Sequence, residues 1–129
     1  MLSVDIFSRV PIYQQVIDGI KEQIRLGLYK QGEQIPSIRE LSVEIGVNPN
    51  TVSKAYLELE RSGILTAAMG KGYFVAPDAS ERIRSALTET ERQTLCAAAE
   101  KLAGAGIPEE ELLQLIHQVY QNHVRKEGS

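Results

Sequence analysis

The chain has 129 residues, which is enough for one small hydrophobic core or two very small ones. Its net charge is −3, and no apolar run approaches the roughly 20 residues that span a bilayer, so we expect no membrane association. We also expect no signal peptide, because the first residues lack a basic segment followed by an apolar one. The single cysteine, Cys96, cannot form an internal disulfide and favours a reducing, cytoplasmic location.

The negative charge is concentrated in the C-terminal part of the chain. Up to Ala76 there are eight basic and eight acidic side chains, whereas the remainder has six basic and nine acidic ones. Proteins that bind a polyanion such as DNA usually have basic domains, so the overall charge argues against such a ligand. The first part could bind a polyanion only if its positive groups cluster on one face.

The first helix is predicted from Pro11 to Leu28, because proline suits a first helical turn and apolar residues recur at helical spacing. Those residues are Ile12, Val16, Ile20 and Ile24. Gly27 and Gly32 mark the end of this helix. The short segment 33–35 is predicted as a strand that pairs with a later hairpin.

Two short helices follow, separated by a tight turn. Ser37 and Glu40 have the spacing of a capping box that begins the second helix. Gly46 stands where a left-handed residue ends it, and Asn48 then caps the third helix with Pro49 at its first position. The gap of about three residues is that of a helix-turn-helix.

The third helix is predicted to end near Ser62, and segments 64–67 and 73–76 read as two strands joined by a flexible turn at 69–72. A hairpin after a helix-turn-helix forms a wing. We therefore predict a mainly α fold: a winged helix-turn-helix with a small β-hairpin wing at residues 1–76, followed by a short helical dimerisation tail.

The third helix separates its apolar and polar residues when it is wound at about 100° per residue. Its core side holds Val52, Ala55, Tyr56 and Leu59. Its opposite side holds Asn50, Ser53, Lys54 and Leu57, with Thr51 on the flank. Amide, hydroxyl and ammonium groups reach base edges and phosphates in the DNA major groove. For Asn50 or Thr51 alone, ordinary helix-start chemistry explains the residue equally well.

Two further regions carry groups that suit a DNA backbone. Arg39 lies early in the second helix and off its apolar stripe, where a helix-turn-helix crosses the phosphates. Gly70 and Lys71 lie at the wing tip, where glycine allows close approach and lysine can enter the minor groove. The alternatives are a solvated surface arginine and an ordinary glycine-rich turn.

Residues 77–129 are predicted to form a linker at 77–80 and then two or three helices. Thr88 and Glu91 have the spacing of another capping box, and Cys96 is expected to be a small buried residue. The apolar positions of these helices predict a dimer interface. Its residues are Leu95, Leu102, Leu112, Leu115, Ile116, Val119 and Tyr120.

Four separated motifs occur in one order: I-P-S-I-R-E-L at 35–41, G-V-N-P-N-T-V at 46–52, A-Y-L-E-L at 55–59 and G-K-G-Y-F-V at 70–75. With them, residues 9–76 resemble the GntR family of bacterial transcription regulators. The short tail resembles that of the YtrA-like subfamily. The resemblance implies a homodimer formed through the C-terminal helices and repression of a nearby operon, often one that encodes an ABC transporter.

The resemblance implies roles for five residues of this chain. The arginine that the family has early in its second helix corresponds to Arg39, and the wing-tip glycine corresponds to Gly70. The start of the family's third helix corresponds to Asn48, Asn50 and Thr51. Two positions depart from the family pattern. Many relatives have arginine where this chain has proline at position 49, and basic or polar residues where it has A-A-M at 67–69. The wing contact should therefore depend on Lys71.

The sequence offers no convergent set of catalytic groups, so we expect no enzyme, cofactor or metal site. His117 and His123 lie six residues apart on one predicted helix and point to different sides. Two alternatives stay open: a winged-helix protein-interaction module that does not bind DNA, and an unknown small-molecule effector bound by the tail.

The sequence as a whole predicts a cytoplasmic, DNA-binding transcription regulator, a repressor that binds a palindromic operator in double-stranded DNA as a homodimer. The expected DNA contacts fall into three groups. We expect the third helix to read the major groove through Asn50, Ser53 and Lys54. We expect the DNA backbone to be held by Arg39, Asn48 and Thr51, and the minor-groove side to be touched by Gly70 and Lys71.

Overall fold

The computed structural model describes residues 2–127 as five helices and one hairpin. The elements are α1 (Ile12–Arg25), α2 (Ile38–Ile45), α3 (Pro49–Arg61), β1 (Leu65–Ala68), β2 (Gly72–Val75), α4 (Ala79–Gly104) and α5 (Glu109–Glu127). The predicted mainly α architecture with a small hairpin wing is confirmed. Contacts divide the chain into two units, the first ending at Leu87 and the second beginning at Thr88. In the part of the chain that the structure describes, no helix combines the length and apolarity of a membrane span.

The first unit has a hydrophobic core in which α3 packs against α1, α2 and β1. Its largest fully buried side chains are Tyr56, Ile20, Leu59, Val16 and Val52. The Tyr56 hydroxyl donates a hydrogen bond of 2.6 Å to the carbonyl of Pro36, and its ring meets Tyr73 edge to face at 4.9 Å. Burial raises the pKa of Tyr56, so this hydroxyl stays protonated and remains a donor.

The predicted start and end signals of the two short helices are confirmed. Ser37 accepts from the amide of Glu40 at 3.0 Å, and the Glu40 carboxylate accepts from the amide of Ser37. Gly46 ends α2 in the left-handed region at φ 68°, which favours glycine because a side chain there is strained. The turn between α2 and α3 is therefore defined by Gly46 at the end of α2 and by the Asn48 cap at the start of α3.

The wing is held to the body of the first unit by a third, short extended segment. β1 and β2 pair antiparallel, and Gln34 forms a bridge with Phe74 on the outer side of β2. The amide of Ile35 donates to the carbonyl of Tyr73 at 3.0 Å, and the amide of Val75 donates to the carbonyl of Glu33 at 2.9 Å. The prediction that segment 33–35 pairs with the hairpin is confirmed.

Several predicted boundaries in the first unit are wrong. The strands predicted at 64–67 and 73–76 are each displaced by one residue, to 65–68 and 72–75. α1 ends at Arg25 rather than near Leu28, because the backbone leaves the helical conformation at Gly27, whose φ is +81°. The linker predicted at 77–80 is also wrong, since α4 begins at Ala79 and buries that residue in the core together with Ile83. The division of domains after residue 76 stays a prediction.

In the second unit, the described residues consist of the later turns of α4, a short connection and α5. The capping box predicted at Thr88 and Glu91 is wrong, because both residues lie inside α4 rather than at its start. Cys96 is exposed rather than buried. From Thr88 to Lys126, no described side chain is buried, so this unit has no core of its own.

Candidate nucleic-acid interface

The N-terminal half of α3 presents polar side chains to solvent and apolar ones to the core. Asn50, Ser53 and Lys54 are exposed, and Thr51 is half-buried. The opposite side of the helix holds Val52, Ala55, Tyr56 and Leu59, all of which are fully buried. The helix is therefore anchored by its apolar back and leaves its polar front accessible.

Asn48 is the N-cap of this helix. Its side-chain oxygen accepts a hydrogen bond of 2.8 Å from the amide of Asn50, and Pro49 occupies the first helical position. The cap leaves the Asn48 amino group as its available donor. The capping function proposed by the sequence and a role in DNA contact therefore use different atoms of the same side chain.

Lys54 does not extend freely into solvent. Its ammonium nitrogen lies 3.8 Å from the centroid of the Tyr13 ring, which belongs to the first turn of α1. This distance is that of a cation–π interaction. Sequence analysis did not select Tyr13, because nothing in its local pattern relates it to a lysine on another helix.

Arg39 lies in the first turn of α2, with its side chain exposed. Its carbonyl accepts a hydrogen bond of 2.8 Å from the hydroxyl of the buried Ser42. Within residues 2–127, the guanidinium has no ion-pair partner. Its charge is therefore available to an external anion.

The wing tip is an exposed turn whose backbone is held by two hydrogen bonds. The amide of Lys71 donates to the carbonyl of Ala68 at 2.9 Å, and the side-chain amide of Gln34 donates to the carbonyl of Lys71 at 2.6 Å. Gly70 has φ +74°, and a Cβ there would meet no atom within 4 Å. Lys71 and Met69 are exposed. Sequence analysis missed Gln34, whose side chain sets the position of this turn.

The apolar residues predicted as a dimer interface all belong to the second unit, and none is buried. Leu112 is half-buried, and the other six are exposed, with Leu115 at 56% and Tyr120 at 67%. The predicted DNA contacts all belong to the first unit. Among the described residues, no group of three or more histidine, cysteine or acidic side chains could hold a metal ion.

Comparison with known proteins relates this geometry to a class of regulator. Residues 12–75 match the family described as "Bacterial regulatory proteins, gntR family". The chain is 47% identical to the HTH-type transcriptional repressor YtrA of Bacillus subtilis over 79 residues, 61% of this chain and 61% of YtrA. It thus spans less than two thirds of the length of that relative.

Two further matches extend the comparison. The uncharacterized HTH-type transcriptional regulator YhcF of Bacillus subtilis is 33% identical over 109 residues, which is 83% of this chain and 88% of YhcF. The solved structure of AraR(DBD) in complex with operator ORX1 is 32% identical with a TM-score of 0.54, and the match covers 57% of this chain and 94% of that one. These names are those of regulatory proteins rather than enzymes.

Proposed function

This chain belongs to the GntR family of transcription regulators and is YtrA-like, and from that premise we propose that it represses transcription as a homodimer bound to a palindromic operator. The name of its relative YtrA describes a repressor. The family is one of regulators, in agreement with the expectation that the chain is not an enzyme.

The observation that carries the proposal is the two-sided character of α3. A recognition helix must leave polar groups free to enter the major groove while the rest of the domain holds it rigidly. Asn50 and Ser53 are exposed at the N-terminal half of α3, and Leu59 and Tyr56 anchor its back. We assign base reading to Asn50 and Ser53, because an asparagine amide matches the adenine edge and a hydroxyl can contact several bases.

Contacts with the DNA backbone are proposed for residues that surround this helix. Arg39 has an unpaired guanidinium and would bind a phosphate, and Asn48 would donate from the amino group that its cap leaves available. Thr51 would contribute its hydroxyl beside them. Gly70 and Lys71 at the wing tip would approach the minor groove.

The exposed apolar residues of the second unit support the proposed dimer. A helical segment without any buried side chain rarely leaves its apolar face in water. We propose that a second copy covers Leu95, Leu102, Leu112, Leu115, Ile116, Val119 and Tyr120. The resulting two-fold axis implies an operator with half-sites about one helical turn apart, roughly 34–36 Å, or a multiple of that spacing. We propose a cytoplasmic location for this complex.

The decisive experiment is selection of bound duplexes from a random library with the purified protein, followed by affinity measurements at several salt concentrations. We expect one enriched palindromic sequence and an affinity that falls steeply with salt, because phosphate contacts release counterions. If no duplex binds at low salt, the protein-interaction module is the better explanation. Adding candidate small molecules to the same assay tests for an effector.

A further inference from the structure

The contact between Lys54 and Tyr13 separates this lysine from the other polar residues of α3. The ammonium lies 3.8 Å from the ring centroid, and Tyr13 is half-buried against the hydrophobic core. A ring that packs on a core is fixed in place. The lysine side chain, which has four rotatable bonds, therefore acquires a preferred position before any ligand is present.

That position lies at the edge of the polar front. On a helical wheel, Lys54 lies about 40° from Asn50 toward the side of Thr51, whereas Ser53 lies about 60° from Asn50 on the other side. The ring that holds Lys54 belongs to the first turn of α1, outside α3 itself. The ammonium is thus directed toward the flank of α3 that adjoins α1 rather than along the middle of the front.

The contact with the Tyr13 ring leaves the positive charge of Lys54 uncompensated. Glu58 is four residues further along α3, at a spacing that allows a lysine–glutamate ion pair. The Glu58 carboxylate instead lies 4.0 Å from Arg61. An aromatic ring is neutral, so stacking on Tyr13 orders the ammonium without cancelling its charge, as a carboxylate partner would.

We propose that Tyr13 is a positioning residue that holds the Lys54 ammonium for a DNA phosphate beside the recognition helix, and that Lys54 therefore does not read a base. This inference rests on the proposed function and changes one assignment made from the sequence. It divides the front of α3 into base readers, Asn50 and Ser53, and a pre-ordered phosphate ligand at the flank. Phosphate contacts position a protein on the duplex and carry no sequence information.

The test is a double-mutant cycle, with affinities measured on the selected operator and on an unrelated duplex. Tyr13→Leu should weaken binding to both duplexes by the same factor, about two- to fivefold, because the cation–π contact is lost. Tyr13→Phe keeps the ring and should bind like the unchanged protein. Lys54→Met should weaken both affinities alike and reduce the salt slope by about one.

The decisive comparison is the Tyr13→Leu change in a Lys54→Met background, where it should have no further effect on affinity. A residue that merely supports the fold would weaken binding equally in both backgrounds, and this result would overturn the proposal. A loss confined to the operator after Lys54→Met would assign Lys54 to a base and would also overturn it.

Nuclear magnetic resonance of the free protein tests the contact itself and does not depend on DNA. The Hε resonances of Lys54 should be shifted upfield by the Tyr13 ring, should keep that shift in Tyr13→Phe and should lose it in Tyr13→Leu. An unshifted resonance in the unchanged protein would overturn the positioning role even if Tyr13→Leu folds poorly. Absence of duplex binding by the unchanged protein would instead refute the proposed function.

Discussion

The two units of this chain show different relations between helix formation and core formation. The first unit packs three helices and a hairpin around buried residues such as Val16, Tyr56 and Leu59. The second unit forms long helices but buries no described side chain between Thr88 and Lys126. A helix can therefore be specified locally without a hydrophobic core beside it, and in the proposed dimer a second copy would supply the packing.

The local specification of α5 is visible at its ends. Glu109, Glu110 and Glu111 lie in the first turn, and Arg125 and Lys126 lie in the last. These charges complement the helix dipole, with acidic groups near its positive end and basic groups near its negative end. Such effects contribute only about 0.3–1 kcal/mol each at exposed positions, so in the proposed dimer most of the stability of the tail would come from packing against the second copy.

The largest expected effect is the loss of core packing in the first unit. Leu59→Ala should lower the free energy of unfolding by about 2–5 kcal/mol, because it removes a fully buried side chain and leaves a cavity. The matched control is Leu57→Ala, two residues away on the same helix, where the side chain is 45% exposed. That control should change stability by about 0.5 kcal/mol or less. Denaturant unfolding measures both, and equal losses would contradict the assignment of the core.

The next largest expected effect is weaker dimerisation when the apolar face of the tail is changed. Leu115→Glu should weaken dimerisation by about 2–4 kcal/mol, because the proposed interface would have to bury a carboxylate. Gln114→Glu adds the same charge at the neighbouring position and serves as the control. Sedimentation equilibrium would measure the dimer, and operator titration would show the accompanying loss of DNA affinity. A Leu115→Glu variant that stays fully dimeric would show that the tail is covered in some other way.

A smaller change, in DNA affinity, distinguishes contacts with the DNA backbone from contacts with bases. Arg39→Ala should weaken binding to every duplex by about 1–2 kcal/mol and flatten the salt dependence, because it removes a phosphate contact. Asn50→Ala should instead relax the preference at one base pair. Both variants should dimerise normally, in contrast to the tail variant. An Asn50→Ala protein with unchanged sequence preference would show that this residue does not read a base.

The smallest expected effect tests the local signals that begin a helix. Ser37→Ala should lower the free energy of unfolding by about 1 kcal/mol, because the amide of Glu40 loses its acceptor. Ser37→Asp keeps an acceptor at the same position and should remain close to the unchanged protein. Thermal unfolding of the three proteins would measure the difference. Equal melting temperatures for the Ala and Asp variants would show that the capping box contributes little here.

The sequence predicted the helix-turn-helix well because its signals are local. The capping oxygen of Ser37, the left-handed Gly46 and the cap at Asn48 each act within a few residues, so their spacing is visible in the chain. Segment 33–35 was also placed correctly beside the hairpin. The two faces of α3 followed from the helical period alone.

The features that the sequence did not predict depend on residues distant in the chain. Pro77 and Ser80 have the composition of a linker, yet Ala79 is buried because the core of the first unit lies against it. Thr88 resembles a cap but lies within a helix that had already begun. The contact of Lys54 with Tyr13 joins two separate helices, and no periodicity relates such residues.

The backbone pairing of residues 32–35 with β2 has a consequence for how the wing is linked to α2. The amide of Gly32 and the carbonyl of Glu33 both bond to Val75, and the next residues lead directly to the capping box at Ser37. A displacement of the wing would therefore be transmitted along this backbone to the first turn of α2, where Arg39 lies. Under the proposed function, a wing contact with DNA and a phosphate contact at Arg39 would then be coupled rather than independent.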